Sequence, residues 1–142
     1  MQPEFDQFIS KMETFGITAG MPPSVSRMLA YLTVCQPAQQ TVEDIRDTIS
    51  LSAGAISEAL TLLRSIGLVE RFKRPGDRHF YYQLDPDGWR KATVRKFKAM
   101  DEGVAIAKEG LELLPNDPRL QSMHEMYTLF SREFANFAER FK

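Results

Sequence analysis

Residues 41–84 read TVEDIRDTISLSAGAISEALTLLRSIGLVERFKRPGDRHFYYQL, and the fold turns on this stretch. Thr41 is a good helix N-cap, and Asp44 puts a carboxylate in the first turn of a short helix over residues 42–49, with Val42, Ile45 and Ile49 facing inward. Ser50-Leu51-Ser52 is the turn that follows. Ser52 then caps a second helix over residues 53–66, in which Ile56, Ala59, Leu60 and Leu63 share one side and Gly67 supplies a left-handed stop. Gly54, Ser57, Glu58, Thr61 and Ser65 fall on the opposite side. Leu68-Val69-Glu70-Arg71-Phe72 alternates as a strand does, His79 to Leu84 is rich in β-formers, and Arg74-Pro75-Gly76-Asp77-Arg78 between them is a turn cluster. The whole reads as a helix-turn-helix followed by a basic β-hairpin, a unit able to lay a helix in the DNA major groove with a hairpin beside it.

Side-chain size on the outer face of residues 53–66 bears on that reading. A helix that reads base edges must come close to them, and small hydroxyl and methyl groups allow it. The same residues also suit a short amphipathic helix of no special use. The hairpin tip offers Lys73, Arg74 and Arg78, with His79 next to them, and an arginine at such a tip can enter a narrow minor groove. Asp77 is expected to pair with a neighbouring arginine and so orient the tip.

The net charge of -1 argues against nucleic acid if taken whole, but the charge is segregated. Residues 1–63 carry three Lys/Arg against seven Asp/Glu, residues 99–142 carry five against eight, and residues 64–98 carry ten against four. That net +6 window spans Arg64, the hairpin and the run Arg90, Lys91, Arg95, Lys96 and Lys98. A local positive field attracts phosphate even on a slightly acidic molecule. A solvated basic surface is the bland alternative.

Outside the central stretch the chain is helical. Phe5, Phe8, Met12 and Phe15 form an apolar stripe over residues 3–15, with Gly16 as the expected stop. Pro22 and Pro23 suit the first turn of a helix that carries Val25, Met28, Leu29 and Leu32 inward as far as Val34, with Pro37 beyond it. Asp85-Pro86-Asp87 opens a long helix to Leu114, and Pro115-Asn116-Asp117-Pro118 separates it from a last helix running to the terminus. Thr93, Phe97, Met100, Val104, Ala107, Leu111 and Leu114 form one seam, and Leu120, Met123, Tyr127, Phe130, Phe134, Phe137 and Phe141 a second. Spacing of this kind describes helix-to-helix packing, and the terminal helices of two chains are expected to interlock.

The order of elements, the Ser52-x-Gly54-x-Ile56-Ser57 recognition helix, Gly67-Leu68-Val69, the Arg74-Pro75-Gly76-Asp77-Arg78 tip, Tyr81-Tyr82 and Trp89 resemble the MarR family of winged-helix regulators. They are most similar to its branch typified by the repressor of glycine betaine synthesis (GbsR-like). The resemblance covers residues 22 to about 90 and implies a homodimer on a pseudo-palindromic operator. It places Ser52, Ala53, Gly54, Ser57 and Thr61 at the major groove and Arg78 at the minor groove. Members of the branch often carry a basic residue where this chain has Ala53, and a glycine where it has Ser26 before Arg27.

The expected architecture is therefore mainly α with a small β-hairpin (α+β). An N-terminal dimerisation helix occupies residues 1–20, a winged helix-turn-helix residues 21–88, and a C-terminal helical dimerisation region residues 89–142. The expected function is transcriptional regulation, as a repressor, with residues 53–66 in the major groove and the wing, residues 72–80, in the minor groove. Its partners are double-stranded DNA and a second copy of the chain. The alternative is a winged-helix module that holds a protein partner without specific DNA binding; an apolar outer helix face or a neutral wing would be its mark. An apolar or cationic effector caged by Trp89, Phe97 and Tyr127 is a further reading, set against these rings being core.

The 43% hydrophobic and 26% charged composition is that of an ordinary soluble domain. No apolar run approaches the roughly 18 residues needed to cross a bilayer and no signal peptide is evident, so no membrane contact and a cytoplasmic location are expected. Cys35 is the single cysteine, and with His79 and His124 it makes no zinc cluster, so no metal or cofactor is expected. Cys35 is read as a packed thiol in preference to a redox switch. No glycine-rich phosphate loop, paired carboxylates or serine-histidine elbow points to an enzyme.

Overall fold

The computed structural model describes residues 2–140. Helices α1 (Pro3–Thr18), α2 (Pro23–Val34), α3 (Val42–Thr48) and α4 (Ala53–Ser65) precede strands β1 (Val69–Lys73) and β2 (Phe80–Leu84). Helices α5 (Gly88–Leu113) and α6 (Pro118–Glu139) complete the chain. The fold is mostly helical with one antiparallel hairpin, as the residue pattern predicts. The chain divides into two compact units, Met1–Trp89 and Arg90–Lys142.

In the first unit α2 is the central element, packed against both α1 and α4. Its Met28, Ala30 and Leu29 are buried, and Ile45, Ile49, Ile56, Ala59 and Leu63 close the core from α3 and α4. Local chemistry sets the helix starts. Thr41 and Asp44 form a reciprocal capping box: the Asp44 amide donates to Thr41 Oγ1 at 3.1 Å and the Thr41 amide to Asp44 Oδ2 at 2.9 Å. The Ala55 amide donates to Ser52 Oγ at 3.1 Å and starts α4, while Gly67, at φ +88°, ends it.

The α1 reading needs correction. Gly16 does not stop the helix; it is buried inside it, because α1 crosses α2 there too closely for a side chain. Ser26 of α2 fills the space, its hydroxyl donating to the Glu13 carbonyl at 2.7 Å. The face toward α2 accordingly includes Ile9 and Gly16, whereas Phe8 and Phe15 of the expected stripe stay 40% and 68% exposed.

The hairpin pairs Val69 with Leu84, Arg71 with Tyr82 and Lys73 with Phe80. Gln40 adds a bridge on the far edge of β2, exchanging backbone bonds of 2.9 and 2.8 Å with Tyr82. Its buried side chain accepts from the Tyr31 hydroxyl at 2.7 Å and donates to the Pro37 carbonyl at 2.8 Å. Every polar end is thereby matched, as burial requires.

In the second unit α5 and α6 form an antiparallel helical hairpin, with Asn116 at φ 66° in the connection. Phe97 stacks on Phe134 with centroids 4.8 Å apart, and Phe137 meets Phe97 edge-on at 5.6 Å. A Cβ on Gly103 would lie 2.5 Å from the Tyr127 ring, and one on Gly110 2.5 Å from Leu120. The two seams read from the sequence therefore cover one another in part within a single chain. Phe141, the last position of the second seam, lies outside the described residues. Among the described residues no helix is long and apolar enough to cross a membrane.

Candidate nucleic-acid interface

The outer face of α4 is built as its sequence dictates. With Ile56, Ala59, Leu60 and Leu63 taken into the core, Ala53, Gly54, Ser57, Glu58 and Thr61 are all exposed. Ser52 is exposed as well, but its oxygen already accepts the Ala55 amide, which leaves its O–H to donate outward. Arg64, in the last turn, is exposed and makes no hydrogen bond or ion pair with the protein among the described residues. The helix thus offers hydroxyls and small groups, the Glu58 carboxylate and a 40% exposed Leu62 along its length, with one guanidinium at its end.

The wing tip is ordered by Asp77, though not through an arginine as expected. Gly76, at φ +78°, allows the tight reversal, and the Asp77 amide donates to the Arg74 carbonyl at 3.1 Å. The Asp77 carboxylate then accepts the Tyr81 hydroxyl at 2.5 Å on one oxygen. Its other oxygen accepts the His79 amide at 2.8 Å and lies 2.9 Å from His79 Nδ1. The Tyr81 hydroxyl and the His79 groups stabilise the ionised form and hold this carboxyl well below the usual carboxylate range.

The basic residues of the wing divide into two groups. Arg74 lies over the Tyr81 ring, 3.7 Å from its centroid, and its Nη2 donates to Gln39 Oε1. It is held against the body of the unit. Arg78 is exposed and, among the described residues, forms no hydrogen bond or ion pair with the protein. Lys73 and Arg71 both lie over the Phe80 ring, 4.8 and 4.1 Å from its centroid. His79 is fixed by Asp77, so its ring is a preset element of the tip.

Comparison with known proteins agrees with this geometry. A model of the MmpR5-like MarR family of transcriptional regulators matches residues 87–142. The HTH-type transcriptional regulator MmpR5 of Mycobacterium tuberculosis is 28% identical over 132 residues, which span 92% of this chain and 80% of that protein. A crystal structure described as that of a transcriptional regulator is 26% identical, with a TM-score of 0.82 and 98% of each chain covered. Over most of its length the chain is similar to transcriptional regulators, and over residues 87–142 to those of the MarR type.

The family match falls on α5 and α6, while the chemistry argued above lies in α4 and the wing, so the two lines of argument are independent. The relatives are regulators, which agrees with the absence of enzyme motifs in the sequence.

The aromatic residues considered for an effector fall in both units. Trp89 closes the first unit and is 44% exposed. In the second unit Phe97 belongs to the ring cluster with Phe134 and Phe137, and Tyr127 lies over Gly103. Cys35 is buried, its thiol near the Ala38 carbonyl at 3.5 Å, and burial pushes it up to about 11. That is the packed, unreactive thiol expected from its place at the end of α2.

Sequence reasoning missed Gln39, Gln40 and Tyr81 as organisers of the wing, because each acts on a residue brought near only by folding. The spacing of Asp77 and Tyr81, four residues apart across the turn into β2, was the one local signal available.

Proposed function

We propose that the chain is a MarR-type, sequence-specific DNA-binding repressor that acts as a homodimer on a pseudo-palindromic operator. Helix α4 enters the major groove of each half-site, with Ser52, Ala53, Gly54, Ser57 and Thr61 toward the base edges. Residues 72–80 of the wing meet the adjacent minor groove through Arg78, with Arg64, Lys73 and His79 near the phosphates. Arg74 supports the tip from behind. Kinship with the glycine betaine synthesis branch rests on Gly76-Asp77-Arg78 and Trp89.

The observation that carries this reading is the pairing of an exposed, small and polar α4 face with a wing whose Arg78 has no protein partner among the described residues. The wing carries Lys73, Arg74 and Arg78 and is not neutral, which disfavours the alternative of a protein-binding module. Dimerisation fits the apolar residues that remain exposed on the helical regions, Phe8 and Phe15 on α1 and Leu113 and Phe130 beyond the wing.

Selection of bound duplexes from a random pool tests the proposal. A two-fold symmetric consensus is expected. Arg78→Ala should weaken binding to the selected duplex roughly tenfold and lower the slope of log affinity against log salt by about one. Recovery of no consensus, with native and Arg78→Ala chains binding alike at every salt concentration, would refute it.

A further inference from the structure

A cleft between α3 and the wing joins Arg78 and His79 to residues of α3 that have no role so far. Its volume is about 280 Å³, and its walls include Glu43 and Arg46 of α3 together with Arg78, His79 and Phe80. Arg46 and Arg78 are exposed, and neither forms a hydrogen bond or ion pair with the protein among the described residues. Two guanidiniums facing one cleft repel each other, and an anion between them turns repulsion into attraction.

The floor of the cleft adds to this field. Phe80 is 40% exposed, with the Arg71 guanidinium 4.1 Å and the Lys73 ammonium 4.8 Å from its ring centroid. Two cations thus lie over the ring, and two more, Arg46 and Arg78, line the cleft that it borders. Of the carboxylates nearby, Asp77 is engaged by Tyr81 and His79 and Asp44 accepts the Thr41 amide, which leaves Glu43 to oppose them. A guanidinium fork matches phosphate geometry, and a phenyl face offers apolar contact to a deoxyribose.

The position of α3 gives the cleft its meaning. This helix packs against α4 on one side and against β2 on the other. It therefore stands between the two elements that, in the DNA-binding reading, enter neighbouring grooves. Adjacent major and minor grooves are separated by a sugar–phosphate strand, which must pass this helix.

Resting on that reading, we propose that the α3–wing cleft, with Arg46 and Arg78 in its walls beside Phe80, seats the sugar–phosphate segment of DNA that separates the two grooves. Arg46 neutralises phosphate there and carries no sequence information.

The test uses the full chain, the selected duplex and a shuffled duplex of the same composition, titrated over a series of salt concentrations. Arg46→Ala removes an exposed side chain without protein partners, so its thermal melt should match that of the native chain. It is expected to weaken binding to both duplexes by the same factor, roughly three- to tenfold, with the salt slope lowered by about one and the ratio between duplexes unchanged. If the melt is lowered, Arg46→Gln replaces it and is read the same way. Unchanged affinity and slope, alongside a loss for Arg78→Ala, would overturn the seat and leave the DNA-binding reading standing. A loss confined to the selected duplex would also overturn it, since that marks a base contact. Absence of salt-dependent binding by the native chain would overturn both.

Discussion

The Tyr81 hydroxyl donates to the Asp77 carboxylate at 2.5 Å, and this bond closes the wing tip on itself. The same carboxylate holds His79, and the ring of Tyr81 carries Arg74 on its face at 3.7 Å. Arg78 therefore projects from a loop whose shape is set by its neighbours.

Tyr81→Phe and Asp77→Asn are expected to weaken DNA binding several-fold while leaving the thermal melt of the exposed wing nearly unchanged. Their effects should not add, since both act through one bond. Asp77 lies well below the usual carboxylate range, so its contribution is present above that range and is lost only as pH falls through its lowered value. Wing order should consequently be flat between neutral and mildly acidic pH. A titration of the Tyr81 ring resonances near the usual carboxylate value would contradict this.

Gly16 and Ser26 meet where α1 packs against α2. A Cβ on Gly16 would lie 2.1 Å from Ser26 Oγ, so Gly16→Ala must displace the hydroxyl from the Glu13 carbonyl. A loss of about 1–3 kcal/mol is expected, as for other overpacked core positions. Gly16→Ala combined with Ser26→Gly should recover most of it, because the clash is then gone. Denaturant melts of the two single variants and the double variant measure the coupling; additive losses would show that the contact is not the cause.

Cys35 should resist thiol reagents in the folded chain at neutral pH and react fully once the chain is unfolded. Its thiol rises from an ordinary value of 9.0 to about 11 through burial. The sign follows from linkage: the stabilisation is fully present below the ordinary thiol value and is lost as pH rises through about 11. Labelling of the native chain as fast as a free thiol would remove the basis for this prediction.

Sedimentation of the full chain should give a dimer at micromolar concentration. Leu113 is 82% exposed and Phe15 68%, and burying a large apolar side chain contributes about 1.5–3 kcal/mol. A well-folded monomer at that concentration would remove dimerisation from the proposed function.

The central unit was legible because its signals are local. Thr41 with Asp44, Ser52 and Gly67 mark helix ends through bonds to residues within a few positions, and the period-two run after Gly67 needs no partner to be read. Gly16 misled because a glycine that stops a helix and one that admits a second helix look alike in one dimension. Gln40 was silent for a related reason: nothing in its neighbours shows that Tyr82 will pair with it. Likewise, the seams of α5 and α6 announce a partner without saying whether it belongs to the same chain, and here Phe97 finds Phe134 close by. Asp77 was placed correctly as the orienting group of the tip but given the wrong partner, since Arg74 prefers the face of Tyr81.

The near absence of positive charge on the outer face of α4 has a physiological consequence if the proposed division holds. Phosphate attraction would come from flanking residues that treat all duplexes alike, while hydroxyls and methyls on α4 choose among them. When the ionic strength of the cell drifts, occupancy would then rise or fall at all target genes together. The hierarchy among those genes would be preserved, so a change in salt would act as a volume control and leave the choice of programme untouched.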